Sequence, residues 1–163
     1  MANFTIADIK TLREQLGTGM VDTKKALEEA DGDLEKAVEI LRLKGAKGNA
    51  KRADRSTSEG LVTAVQHGDK VTILELNTET DFVAKNERFI ALAEKVLGAA
   101  AAEDADSVEA ALAAPAGSQT VAELISDEAA ILGEKVELRR VRTLSGDKFE
   151  IYLHKTSKDL PPQ

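Results

Sequence analysis

The fold turns on Leu61-Val62-Thr63-Ala64-Val65-Gln66-His67-Gly68-Asp69-Lys70-Val71-Thr72-Ile73-Leu74-Glu75-Leu76. Its two runs, Leu61–Val65 and Val71–Leu76, are rich in aliphatic and β-branched residues, which favour extended backbone. Gly68-Asp69 lies between them, and a Gly-Asp pair between such runs predicts an antiparallel β-hairpin. The character of the chain changes at Gly60, from helical spacing before it to blocks of strand and helix after it. Strands segregated from helices, with hairpin connections, predict an α+β domain over residues 60–163.

Upstream, residues 4–45 read as three short amphipathic helices. Thr5 caps the first, Asp8 completes a capping box, and Phe4 can staple onto Ile9. Ile6, Ile9, Leu12 and Leu16 recur at helical spacing. Gly17-Thr18-Gly19 stops that helix, and a second begins near Met20–Asp22. Asp31-Gly32-Asp33 is a turn, with Asp33 capping a third helix that carries Leu34, Ala37, Val38 and Leu41. Gly45 suits the residue just past its end. About forty residues is near the lower limit for a unit that folds alone, so residues 1–45 are expected to be a small N-terminal module. Between Arg42 and Arg55 six cations face one anion. Residues 46–59 therefore read as a basic linker that can be helical in part, either a solvated connector or a contact for an acidic partner surface.

Downstream, Asn86 can cap a helix bearing Phe89, Ile90, Leu92, Ala93, Val96 and Leu97. A short helix from Ser107 and a loop around Pro115-Ala116-Gly117 follow. Thr120-Val121-Ala122-Glu123 is a capping box that opens a helix ended by Gly133. Val136–Leu144 and Lys148–His154 flank Ser145-Gly146-Asp147, which predicts a second hairpin.

Composition narrows the function. The chain has 163 residues, enough for a small domain beside a larger one. A net charge of −7 argues against direct nucleic-acid binding, which needs a surplus of Lys and Arg. There is no cysteine, and His67 and His154 are the two histidines, with no metal-ligand spacing. No nucleophile elbow and no Walker loop are present. No metal, cofactor or enzymatic activity is expected. The N-terminus lacks the basic start and apolar run of a signal peptide, and Leu97–Ala102 is too short to cross a membrane. The expectation is a cytoplasmic protein with no membrane segment.

One stretch stands apart: Glu75-Leu76-Asn77-Thr78-Glu79-Thr80-Asp81-Phe82-Val83-Ala84-Lys85-Asn86. Strand periodicity ends near Asn77, polar residues follow, and Phe82-Val83 sits between polar flanks. Aromatic residues are 3% of the chain. An aromatic residue placed here is either cover for the core or an exposed anchor for a partner.

Thr80-Asp81-Phe82-Val83-Ala84-Lys85-Asn86, preceded by Glu75-Leu76-Asn77, resembles the signature of the elongation factor Ts family. Leu12-Arg13, Gly17-Thr18-Gly19-Met20-Val21-Asp22 and Lys24-Lys25-Ala26-Leu27 resemble a second signature. Gly133-Glu134-Lys135 with Leu138-Arg139-Arg140, and Tyr152-Leu153-His154, resemble later family segments. These matches follow family order along nearly the whole chain. Leu16 stands where the family usually has Thr, and Thr23 and Thr78 where Cys is common. Family members usually continue beyond Gln163, so the resemblance implies a form shortened at its C-terminus, with a second core subdomain only begun.

The resemblance implies a guanine-nucleotide exchange factor, not an enzyme of covalent chemistry, that binds elongation factor Tu carrying GDP during translation. It implies that the Asp81-Phe82 tip wedges into the partner near its Mg²⁺ and phosphate site, with Thr80 and Val83 among the partner-binding residues, while Thr80 and Asn86 shape the loop and cap the helix. It also implies a ubiquitin-associated-like fold for the N-terminal module, with Leu12, Met20, Val21 and Lys24 at its contact with the partner. Leu12 is equally readable as core of the three-helix module, and Lys24 as a solvated helix residue. His154 matches a family position facing the partner's distal domain. Two other classes compete on the residues alone. One is a peptide-binding adaptor built on residues 4–45, which leaves Asp81-Phe82 without a task. The other is a hydrolase, which needs a cleft with paired titratable groups.

Overall fold

A computed structural model describes residues 3–163. The chain divides into two compact units, one running through Lys51 and the other from Arg52 to Gln163.

The first unit is built from three helices, α1 (Ile6–Leu16), α2 (Met20–Glu29) and α3 (Leu34–Lys51). Thr5 caps α1 as expected: its hydroxyl accepts from the Asp8 N–H while the Asp8 carboxylate accepts from Thr5. Those bonds, the backbone one first, hold the Asp8 carboxyl below its ordinary value. Gly17 closes α1 in the left-handed conformation. Asp33 Oδ1 accepts from the Lys36 N–H at the start of α3. Leu12, Ala26, Leu27, Ala30, Ala37 and Leu41 form the core, with Phe4, Ile9 and Leu16 packed around it.

The third helix does not end at Gly45. It continues to Lys51, so residues 46–51 of the expected linker are helical. Neither Gly45 nor Gly48 takes a positive φ. Each glycine costs a helix about 1 kcal/mol relative to alanine, too little to stop one already nucleated.

In the second unit the hairpin is present, with β1 (Glu59–His67) and β2 (Lys70–Thr78) joined by Gly68-Asp69. Then come α4 (Asp81–Ala84), α5 (Glu87–Ala102), α6 (Val108–Ala113), a two-residue pair β3 (Pro115–Ala116) and β4 (Gln119–Thr120), α7 (Val121–Leu132) and β5 (Glu137–Ser145). The β3–β4 pair occupies what reads in the sequence as a loop. The main sheet is antiparallel in the order β1-β2-β5. The α+β expectation is met.

Side chains at facing positions share one side of a sheet, so Leu61, Leu76 and Leu138 form one row and Leu74 and Val141 another. With Phe89, Leu92, Val96, Val121 and Leu124 they build the core. Beside them the Thr72 and Thr143 hydroxyls bond at 2.8 Å. Gly60 has φ +152°, and a Cβ there would lie 2.2 Å from the Leu76 carbonyl oxygen. Only glycine lets β1 approach β2 this closely.

The second hairpin does not form. Residues 148–154 pair with no strand, although Phe149, Ile151 and Leu153 alternate as a strand face should. Alternation selects a face but does not by itself supply a ladder, and at the end of β5 the Gly146 N–H donates to the Asp69 carbonyl, so this residue of the expected turn continues the pairing with β2. Ile151 and Tyr152 are left exposed. Among the described residues no helix is long and apolar enough to cross a membrane.

Candidate functional site

The polar stretch after β2 becomes a single helical turn. Thr80 is extended, and its hydroxyl caps α4 by accepting from the Val83 N–H at 3.4 Å. Successive helical side chains point about 100° apart, so one turn cannot bury them all. Ala84 is fully buried and Val83 packs against the core. Phe82 is turned outward and is 74% exposed. Of the two readings open for this aromatic residue, the structure takes the exposed one. Asp81 lies beside it, 3.5 Å from the Lys85 ammonium. Lys85 also stands 4.7 Å from the centre of the Phe82 ring. Asn86 Oδ1 then accepts from the Arg88 N–H and starts α5 immediately.

The turn is tied down from the far end of α7. Gly133 closes that helix in the left-handed conformation, and Glu134 follows. The Glu134 carboxylate accepts from the Thr78 hydroxyl at 2.8 Å and the Thr80 hydroxyl at 2.6 Å. It also accepts from the backbone N–H groups of Glu79 at 3.2 Å and Thr80 at 3.1 Å. The Glu79 carboxylate reciprocates, accepting from the Lys135 N–H at 2.7 Å and pairing with Arg55 at 3.2 Å. Sequence reading places Glu134 in a matched stretch without a role for it. Its spacing from Thr80 carries no periodic signal. The Asp81–Lys85 contact is an i,i+4 pair and was legible in principle.

The first unit carries its candidate residues separately. Met20 and Val21 open α2 and are 59% and 65% exposed. The turn before them is braced by Thr23, whose hydroxyl donates to the Gly19 carbonyl and bonds the Thr18 hydroxyl. Lys24 is exposed and lies 3.7 Å from Glu28. Leu12 is 2% exposed and belongs to the three-helix core, so it supports this surface without forming part of it. His154 is exposed in the chain after β5, where Nδ1 meets the Tyr152 hydroxyl at 3.0 Å and its carbonyl accepts from the Gln163 N–H.

Among the described residues no three His, Cys, Asp or Glu side chains gather as a metal site. The tip is a surface turn held to the rest of the second unit. It presents an aromatic ring, a carboxylate and an ammonium on a frame fixed by charge-assisted hydrogen bonds.

Comparison with known proteins matches residues 79–159 to the family model described as "Elongation factor TS". The match begins at Glu79 and so takes in α4, Glu134 and His154. The whole chain is 73% identical to elongation factor Ts of Leifsonia xyli subsp. xyli and covers 59% of that protein. It is 68% identical to the same-named protein of Clavibacter sepedonicus, covering 59% of it, and 60% identical to that of Beutenbergia cavernae, covering 60%. In each case all of this chain is matched. It thus spans about three-fifths of the length of these curated relatives.

Proposed function

The chain belongs to the elongation factor Ts family, and on that premise we propose that it binds elongation factor Tu carrying GDP and promotes release of the nucleotide in the cytoplasm. The observation that carries this reading is Phe82, three-quarters exposed on a turn where Ala84 is buried and Val83 packs against the core. A solvent-facing aromatic residue on a rigid mount is built to be covered by something else. Full burial of such a ring is worth roughly 1.5–3 kcal/mol.

Exchange is reciprocal coupling: factor and nucleotide each weaken the other's hold on the GTPase. A coupling of about 3 kcal/mol changes nucleotide affinity more than a hundredfold. The Asp81–Phe82 tip enters near the partner's Mg²⁺ and phosphate site, where displaced groups no longer hold the nucleotide. Phe82 supplies apolar area and Asp81 competes for donors. Thr80 and Val83 set the shape of the turn. The N-terminal unit, a ubiquitin-associated-like three-helix bundle in this reading, docks through Met20 and Val21, with Lys24 at the rim and Leu12 beneath. His154 meets a second part of the partner.

The test is release of a fluorescent GDP from elongation factor Tu by this chain and by its Phe82→Ala variant. The variant is expected to be at least about tenfold slower, since its loss removes an anchor. Equal rates for the two proteins end the proposal.

A further inference from the structure

We propose that Glu134 is the positioning residue of the Asp81–Phe82 tip, fixing from across the fold the direction in which Phe82 projects. The inference rests on the reading of that tip as the partner contact.

The ladder of β2 ends at Thr78 and α4 starts at Asp81. Glu79 and Thr80 lie between, and their N–H groups belong to neither element. Groups of this kind need a partner, and an unsatisfied one is costly where water is excluded. Both N–H groups point into one carboxylate, that of Glu134. The same carboxylate receives the Thr80 hydroxyl hydrogen at 2.6 Å. A hydroxyl has one hydrogen, so donating it to Glu134 turns a lone pair toward the Val83 N–H, which is the bond that caps α4. Glu134 therefore sets the backbone before the turn directly and the turn's first hydrogen bond through Thr80. The Glu79 carboxylate on the Lys135 N–H ties the same two segments in the opposite sense. By comparison the Asp81–Lys85 pair at the tip is a solvent-facing contact of the kind that contributes little.

The experiment compares the whole chain with its Glu134→Ala, Glu134→Gln and Thr80→Val variants. Amide hydrogen exchange reads the free protein, and GDP release from elongation factor Tu reads function. In Glu134→Ala the amides of Thr80 and Val83 are expected to exchange about tenfold faster or more, with Leu92 and Val96 of α5 unchanged. The saturating rate of GDP release should fall about tenfold while the half-saturating concentration moves less than about twofold, because only the oriented contact is lost.

Glu134→Gln keeps one carbonyl oxygen facing the two backbone N–H groups and is expected to recover most of both losses. Thr80→Val should expose the Val83 amide while the Thr80 amide stays protected. Unchanged exchange at Thr80 and Val83 in Glu134→Ala overturns the proposal, as does loss of protection throughout α5 in both Glu134 variants. If Phe82→Ala leaves GDP release unaltered, the reading of the tip falls, and the exchange data still decide whether Glu134 sets its geometry.

Discussion

Lys85 holds its ammonium 4.7 Å from the centre of the Phe82 ring, one helical turn along the chain. This is the one cation–π contact among the described residues, and it covers the most exposed aromatic group of the candidate site. Both partners face water, so the contact is worth only about 0.5–1 kcal/mol. A double-mutant cycle of Phe82→Ala and Lys85→Ala, read by urea unfolding, should give a coupling no larger than about 1 kcal/mol. A coupling above about 2 kcal/mol would mean that the pair holds the turn together, against the role given to Glu134.

Phe82 and Phe89 should behave oppositely on truncation. Phe89 is fully buried in the core of the second unit. Phe89→Ala is expected to cost about 3–5 kcal/mol of stability. Phe82→Ala removes little buried area and should change stability by less than about 0.5 kcal/mol. Denaturant midpoints measure both, and a large stability loss in the Phe82 variant would show that its ring serves the fold.

Gly60→Ala should be among the most damaging small changes. The added methyl would meet the Leu76 carbonyl oxygen at 2.2 Å, at a φ of +152° that side chains avoid. The expected loss is about 2 kcal/mol or more, since steric and conformational terms add. Thermal unfolding checks it, and a neutral result would mean that β1 does not lie this close to β2.

The cap of α1 makes a pH prediction. The Asp8 carboxyl titrates below its ordinary value of 3.8 because it accepts from the Thr5 backbone and hydroxyl. A carboxyl lowered by folding stabilises the fold above its unfolded value and loses that contribution as pH falls through the lowered one. The stabilisation is therefore complete above pH 3.8 and disappears below it. An NMR titration of Asp8 should find a midpoint under 3.8. Thr5→Ala should raise that midpoint only in part, because the larger cause, the Thr5 N–H, remains. A midpoint already at the ordinary value in the unaltered protein would contradict the capping box.

Met20 and Val21 are exposed at the start of α2. The double change to alanine should leave the melting temperature nearly unmoved. It should raise the concentration needed for half-maximal GDP release about tenfold, as loss of a docking anchor does. No shift in that concentration would take the docking role away from this surface.

How much was legible depended on distance along the chain. Thr5, Asn86, Ser107 and Thr120 were readable as caps because each bonds within two or three residues of itself. Gly17 and Gly133 were readable as helix ends for the same reason, and Gly68-Asp69 as the hairpin turn. The family signature around Asp81-Phe82 was also legible, as a short contiguous run.

Other features needed the folded chain. Leu12 and Met20 are both apolar helix residues, yet one is core and the other surface, and packing alone separates them. Residues 148–154 have a strand's alternation but no ladder, because alternation selects a face while pairing requires a second strand within reach. The hold of Glu134 on Thr80 spans 54 positions of sequence. The sequence by itself determined the helix caps, the first hairpin, the order of the main elements and the family, since those follow from near neighbours and contiguous motifs. Only the tertiary structure decided that Phe82 faces outward and that Glu134 bonds the backbone and hydroxyl of Thr80. The first depends on α4 packing Val83 against the core and burying Ala84, and the second on the end of α7 meeting the end of β2, and no local pattern encodes either.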